Sequence, residues 1–223
     1  NGEIINYRYY SINSHTIWSA EKAHVVYGSI VIEPDASLTI EEGTQVFFHN
    51  NSGIYVGNPI LVNSSNVPTN NGSLIINGSL GKEVTFQGDR LDSWYENTPG
   101  QWDRIRFIPG SYDNEINYAI IKNGNVGIHV DSLLGNETTI EINNTIIENM
   151  SAIGLLGQGA DLQANNTIVS SCGQYSVVCN IGGNYNFTHC TFANYWDLGT
   201  RNTPSILLNN YYEDTDDNLQ IRN

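Results

Sequence analysis

Short apolar stretches, interrupted by Gly, Asn and other polar residues, recur along almost the whole chain. Within the stretches apolar and polar residues alternate, as in "EINYAII" (115–121), and this period of two predicts β-strands. After about residue 25 no stretch of a dozen residues shows the spacing of an amphipathic helix. The pattern therefore predicts an all-β protein.

One motif recurs at intervals of roughly two dozen residues, which is typical of solenoid proteins. The four copies are EINYAIIKN (115–123), EINNTIIEN (141–149), QANNTIVSS (163–171) and NFTHCTFAN (186–194). Equivalent positions share one character in every copy, so like residues form columns. Two apolar columns predict the interior: Ile116, Ile142, Ala164 and Phe187, and Ile121, Ile147, Val169 and Phe192.

This period with short strands predicts a single-stranded parallel β-helix, in which successive coils stack about 4.8 Å apart. We expect a right-handed coil, following the usual hand of parallel crossovers. A second repeated feature is an Asn at the bend of each coil, for example Asn123 and Asn149. Asn tolerates the left-handed backbone and bonds to its neighbours along a stack, so this repetition is architectural.

We predict three segments. Residues 1–24 precede the first clear coil and are expected to cap the open end of the core. Residues 25–212 form the β-helix, with a loop at 58–71 and a longer aromatic excursion at 89–102. Residues 213–223 form an acidic C-terminal segment.

Charge excludes some partners. The 223 residues contain 23 acidic and 9 basic side chains, for a formal net charge of −14. Such a surface repels nucleic acid, whose phosphates need Lys and Arg. The three cysteines, Cys172, Cys179 and Cys190, contain no CxxC pair, and we expect buried, unpaired thiols.

Three segments carry a resemblance to a known family: TIWSAEKAHVVYGSIVIEPDASLTIEEGTQVFF (16–48), GQWDRIRFIPGSYDNEINYAIIKNGNVGIHV (100–130) and CTFANYW (190–196). The chain resembles the right-handed parallel β-helix surface lipoproteins of Bacteroidetes, a family of unsettled function with a pectate-lyase-like fold. The resemblance implies export to the cell surface or outer membrane, and a lipid anchor that is absent from this chain. Members continue past the point where this chain stops, which implies a fragment of a longer protein.

Candidate catalytic residues are Arg106, His129 and Asp131. Alternation turns Ile105, Phe107, Ile128 and Val130 inward and places Arg106 and His129 outward on neighbouring coils. Such a face could carry a base for polysaccharide cleavage, as in lyases. The alternative is ordinary strand decoration with local ion pairs, and we expect this alternative because the Asp clusters of known polysaccharide-cleaving β-helices are missing.

Candidate ligand-binding residues are aromatic side chains at loops and strand ends: Trp94, Tyr95, Trp102, Tyr195 and Trp196. Aromatic faces beside amides and carboxylates suit stacking on sugar rings. The alternative is that these rings cover the hydrophobic bases of loops.

A metal site is considered at Asp214, Asp216 and Asn218, which match the opening of a calcium loop. Leu219 stands where such loops need Gly, so we expect an acidic segment and no cofactor, with Ca²⁺ as the alternative. Taken together, the sequence predicts a non-catalytic surface scaffold that presents loops to glycans or to outer-membrane proteins. The alternatives are a polysaccharide lyase or glycoside hydrolase, and a structural subunit of an outer-membrane assembly.

Overall fold

A computed structural model describes residues 4–59, 70–131, 139–213 and 219–221, with side chains described for 10–59, 70–131 and 139–210. In chain order its strands are β1 (Ile4–Ile12), β2 (Thr16–Trp18), β3 (Ala23–Ile32), β4 (Ser37–Glu41), β5 (Gln45–Phe48), β6 (Gly53–Val56), β7 (Ser73–Asn77), β8 (Val84–Gly88), β9 (Ile105–Phe107), β10 (Asn114–Asn117), β11 (Ala119–Lys122), β12 (Val126–Asp131), β13 (Thr139–Asn143), β14 (Ile146–Glu148), β15 (Ile153–Gln158), β16 (Asp161–Asn165), β17 (Ile168–Ser170), β18 (Tyr175–Asn180), β19 (Asn184–Thr188), β20 (Thr191–Ala193), β21 (Ile206–Leu208), β22 (Tyr211–Glu213) and β23 (Leu219–Ile221).

The strands form a parallel β-solenoid of about seven turns, which confirms the predicted β-helix. Face one consists of β2, β4, β7, β10, β13, β16 and β19. Face two consists of β5, β8, β11, β14, β17 and β20, and face three of β6, β9, β12, β15, β18 and β21. The long strand β3 joins faces two and three, because its first half pairs with β5 and its second half with β6.

The predicted columns are confirmed by the strand register. Ile121 pairs with Ile147, and Ile147 pairs with Val169, and all three side chains are fully buried. Ile116, Ile142, Ala164 and Phe187 stack in the same way on face one. The core is thus an apolar column inside the coil, and it fixes the register because a slip by one residue would turn every side chain over.

The bends between faces also repeat. Asn123, Asn149 and Ser171 occupy equivalent bends with positive φ values of 67°, 56° and 54°. The Asn149 side-chain amide donates to Asn123 Oδ1 at 2.7 Å, so one coil is bonded to the next. This confirms the prediction that Asn adopts the left-handed conformation at the bend and bonds to the neighbouring coil.

The N-terminal segment, residues 1–24, for which a cap is predicted, contains two strands and the start of a third among its described residues. Strand β1 pairs in parallel with β3, and β2 pairs in parallel with β4, so residues 4–18 lie within the solenoid and the first coil begins before residue 25. The sequence IINYRYYSI of β1 combines three tyrosines and one arginine without clear alternation of apolar and polar residues, so the pattern does not predict this strand. At the other end, β22 and β23 pair antiparallel.

The described residues contain no helix, and accordingly none that is long and apolar enough to cross a membrane.

Candidate functional site

The predicted catalytic residues lie together on the outer surface of face three. Arg106 on β9 is the register partner of His129 on β12, and Asp131 lies two residues further along β12. The neighbouring Ile105, Phe107, Ile128 and Val130 are fully buried in the core, so the predicted alternation is confirmed. We call the polar side chains of this surface the wall cluster: Tyr55, Asp103, Arg104, Arg106, His129, Asp131 and Gln158.

Hydrogen bonds and ion pairs link the members of the wall cluster. Arg106 Nη2, at 2.5 Å, and Arg106 Nε, at 2.7 Å, both contact the same carboxylate oxygen, Asp131 Oδ2. His129 Nε2 lies 2.8 Å from Asp131 Oδ1 and 2.8 Å from Gln158 Oε1. Arg104 Nη1 lies 3.2 Å from His129 Nδ1. Both ring nitrogens of His129 are thus engaged by neighbouring polar groups.

Burial supports a structural role for the wall cluster. His129 and Asp131 are 5% and 3% exposed. Burial alone would raise the pKa of Asp131, but the hydrogen bond and charge of His129 and the charge of Arg106 outweigh it and lower that pKa. The carboxylate is therefore ionised and paired, and neither it nor the imidazole presents an unoccupied atom to a substrate.

The excursion at residues 89–101 leaves the coil between β8 and β9, as predicted. It is held in a compact shape because the Gln101 side-chain amide donates to the carbonyls of Tyr95 and Thr98, each at 2.7 Å. The Asn123 side chain, at a bend of the next coil, donates to the Glu96 carbonyl at 2.9 Å. The solenoid thus positions the loop through its own repeated Asn.

The base of the excursion is closely packed. A Cβ added at Gly88 would lie 2.3 Å from Gln101 Oε1 and 2.8 Å from Gln101 Cβ. Any larger residue at position 88 would displace Gln101 and with it the hydrogen bonds that shape the loop.

A cavity of about 340 Å³ lies between the excursion and the bend that follows β5. We call it the excursion cavity, and its lining residues are His49, Asn50, Asp89, Arg90, Tyr95, Thr98, Pro99, Gly100 and Gln101. The volume falls within the range of about 300–1,000 Å³ that is typical of small-ligand sites.

Charged and aromatic groups meet in the wall of the excursion cavity. His49 Nδ1 lies 2.8 Å from Asp89 Oδ2. Arg90 Nη1 donates to the Tyr95 hydroxyl at 2.5 Å, and its Cζ lies 4.6 Å from the centre of the Tyr95 ring. The cavity thus offers a ring, a guanidinium, a carboxylate and side-chain amides within a small volume, which is a set of groups suited to a polar ligand with a hydrophobic face.

The five predicted aromatic residues lie in three places: the excursion, the segment after β20, and the core. Tyr95 lines the excursion cavity, and Trp94 beside it is 88% exposed. Tyr195 and Trp196 lie after β20, with Trp196 against Gly173, and they do not line the excursion cavity.

Trp102, which the sequence predicts as a ligand-binding residue, lies in the core instead. It is fully buried, its ring stacks on Phe48 with centroids 4.4 Å apart, and its indole nitrogen donates to the Lys122 carbonyl at 2.9 Å. Because Trp102 directly follows an exposed loop, its sequence position does not indicate that the chain re-enters the core at this residue.

Sequence reasoning missed His49, Asp89, Arg90 and Gln101. His49 and Asp89 are separated by 40 positions in the sequence. Their preceding residues, Phe48 and Gly88, are register partners on β5 and β8, so the two bends lie side by side. Extending the repeat alignment upstream to these two strands would have brought the two residues together.

In the part of the chain that the structure describes, no three His, Cys, Asp or Glu side chains are grouped to hold a metal ion. The candidate calcium ligands Asp214, Asp216 and Asn218 lie outside the described residues.

The cysteines match the prediction at two positions. Cys172 and Cys179 are buried free thiols, and burial raises their pKa values to about 11 and about 12. Cys190 is a free thiol that is partly exposed. High thiol pKa values keep the first two protonated and unreactive at neutral pH.

Comparison of the chain with protein-family models, with curated proteins and with solved structures gave no match. The parallel β-helix is therefore established by the strand pairing of this chain itself.

Proposed function

We propose that this protein is a non-catalytic binding protein whose solenoid holds the 89–101 excursion in place to bind a saccharide in the excursion cavity. The observation that carries the proposal is the meeting of Tyr95, Arg90, Asp89 and His49 around a cavity of about 340 Å³. Sugars present hydroxyls at their edges and C–H groups on their faces, so a site with polar groups beside an aromatic ring matches both.

The fixed shape of the excursion supports this role. Hydrogen bonds from Gln101 hold the excursion together internally, and one from Asn123 attaches it to the solenoid, so its polar groups need little ordering when a ligand arrives. Preorganisation of this kind reduces the entropic cost of binding. Display at a bacterial cell surface is part of the proposal and is supported by the resemblance of residues 16–48, 100–130 and 190–196 to surface lipoproteins.

The proposal is tested by calorimetric titration with a panel of neutral and acidic oligosaccharides. For the glycan that binds, we expect Tyr95→Ala to weaken affinity by about threefold to tenfold, the usual contribution of an aromatic contact. Tyr195→Ala is the matched control, because Tyr195 is 74% exposed and lies outside the cavity. Equal effects of both substitutions, or no binding across the panel, would contradict the proposal.

The enzymatic alternative is tested on the same panel by following the appearance of reducing ends and of unsaturated products. We expect binding without turnover, because the wall cluster presents no unoccupied catalytic group. Turnover that disappears in folded Arg106→Ala and His129→Ala variants would establish the enzyme and overturn a purely binding role.

A further inference from the structure

Arg90 carries a positive charge that is not neutralised within the described part of the chain. Its guanidinium contacts the hydroxyl and ring of Tyr95, and no described carboxylate oxygen lies within 4.0 Å of it. Arg104 and Arg106, in contrast, bind Asp103 and Asp131 at 3.0 and 2.5 Å. The chain has a net charge of −14, so acidic side chains greatly outnumber basic ones. A guanidinium at a cavity wall that lacks an acidic partner therefore suggests an anionic ligand.

The contacts of Arg90 leave a defined edge available. Its Nη1 donates to the Tyr95 hydroxyl, while Nε and Nη2 have no acceptor among the described residues. These two nitrogens lie on one edge of the planar guanidinium and donate in parallel, which is the geometry that binds a carboxylate through two hydrogen bonds. The neighbouring Asp89 does not occupy this edge, because neither of its carboxylate oxygens lies within 4.0 Å of a guanidinium nitrogen of Arg90, and its Oδ2 contacts His49.

The Tyr95 contact also fixes the direction of the guanidinium. Arginine side chains in solution sample many rotamers, and holding one of them in place reduces the entropy lost when a ligand binds. Tyr95 is itself held by the Gln101 bond to its carbonyl at 2.7 Å. The Tyr95 contacts therefore hold the Arg90 guanidinium in one orientation at the cavity wall.

We propose that the ligand of the excursion cavity is an acidic saccharide, whose anionic group binds the Nε and Nη2 edge of Arg90. This inference rests on the proposed saccharide-binding function and adds its charge. A sugar carboxylate and a sulfate ester share the chemistry that this edge recognises, because both are anionic and present at least two oxygens that can accept the two hydrogen bonds.

The test uses three probes of equal length: a hexuronic acid tetrasaccharide, the same tetrasaccharide with its carboxylates reduced to hydroxymethyl groups, and a sulfated neutral tetrasaccharide. Calorimetric titrations are made at about 20 mM and about 200 mM NaCl, because screening weakens the attraction between partly exposed charges. The reduced probe keeps the ring and hydroxyls, so it isolates the contribution of the anionic group.

We expect at least one acidic probe to bind at least about tenfold more tightly than the reduced probe, with a smaller preference at the higher salt concentration. Preference for the uronate identifies a carboxylate, and preference for the sulfated probe identifies a sulfate ester. Arg90→Gln should abolish the preference, and Arg90→Lys should restore only part of it, because Lys keeps the charge but loses the paired donors. Arg90 is exposed, and circular dichroism verifies that each variant is folded.

Two results would overturn the inference. If the reduced probe binds as tightly as both acidic probes and Arg90→Gln affects all of them equally, the cavity binds saccharides without charge recognition, and the proposed function stands alone. If none of the three probes binds and the wider neutral panel also fails, saccharide binding itself is refuted.

Discussion

The wall cluster and the excursion cavity contain the same kinds of residue, and their difference separates structure from function in this protein. Both combine Arg, His, Asp and Tyr side chains. In the wall cluster each charge is matched and His129 and Asp131 are buried, whereas the cavity contains the exposed, unmatched Arg90 beside Tyr95. Residue types alone therefore do not identify a site, because the number of unoccupied hydrogen-bonding atoms decides what a cluster can bind.

The contrast leads to the expectation that stability depends on the solenoid and binding on the excursion. This expectation is tested by comparing similar substitutions, one in the solenoid and one in the excursion.

The largest difference is expected between Trp94, within the excursion, and Trp102, where the chain rejoins the coil. Trp102→Ala removes a fully buried ring that stacks on Phe48, and we expect a loss of about 4 kcal/mol in the free energy of unfolding. Trp94→Ala, at a position that is 88% exposed, should change that free energy by no more than about 0.5 kcal/mol. Urea unfolding followed by circular dichroism measures both, and comparable losses would show that the excursion is part of the core.

The two aspartates give the next comparison. Asp131→Ala leaves Arg106 and the buried His129 without their carboxylate, and we expect a loss of about 2–3 kcal/mol because Arg106 keeps some contact with water. Asp89→Ala breaks a pair in which His49 is half exposed, and should cost less than about 1 kcal/mol. The measurement is again urea unfolding. An equal cost at the two positions would mean that the wall cluster is not the stabilising unit.

A smaller effect on stability should accompany a clear effect on binding at Gly88. In Gly88→Ala the new methyl group meets Gln101, and we expect a loss of about 1–2 kcal/mol together with weaker saccharide binding, because Gln101 orients Tyr95. Gly199→Ala is the control, since its Cβ would have only the Trp196 indole nitrogen nearby, at 4.0 Å. Unchanged binding in a folded Gly88→Ala variant would show that the loop shape does not depend on Gln101.

The sequence predicted the solenoid well because its information is local and repeated. The column Ile121, Ile147 and Val169 follows directly from the aligned motif, and so do the left-handed bends at Asn123 and Asn149. The excursion cavity brings together bends that are 40 positions apart, where His49 contacts Asp89, in a region where the repeat is loose. Trp102 shows the same limit, because burial depends on where the loop rejoins the coil.

The pH dependence of stability gives the most sensitive test of the wall cluster. The pKa of Asp131 lies below its ordinary value of 3.8, because the contacts with His129 and Arg106 outweigh the effect of burial. The unfolded chain therefore takes up a proton at a higher pH than the folded protein does. The stabilisation from Asp131 is complete above the unfolded pKa and is lost as the pH falls through the lower, folded pKa. Urea unfolding between about pH 2.5 and about pH 6 should show a steeper acid loss in the wild type than in Asp131→Asn.

Glu42→Gln is the matched control for that experiment. Hydrogen bonds from Lys82 and Ser79 also lower the pKa of Glu42, but this carboxylate is fully exposed. Water screens exposed pairs, so removing this charge should change the acid slope less than removing Asp131 does. If Asp131→Asn retains the full acid slope while Glu42→Gln flattens it, the ion pairs of the surface, and not those of the wall cluster, link stability to pH. In that case the wall cluster is not what stabilises the solenoid, and only the assignment of binding to the excursion remains.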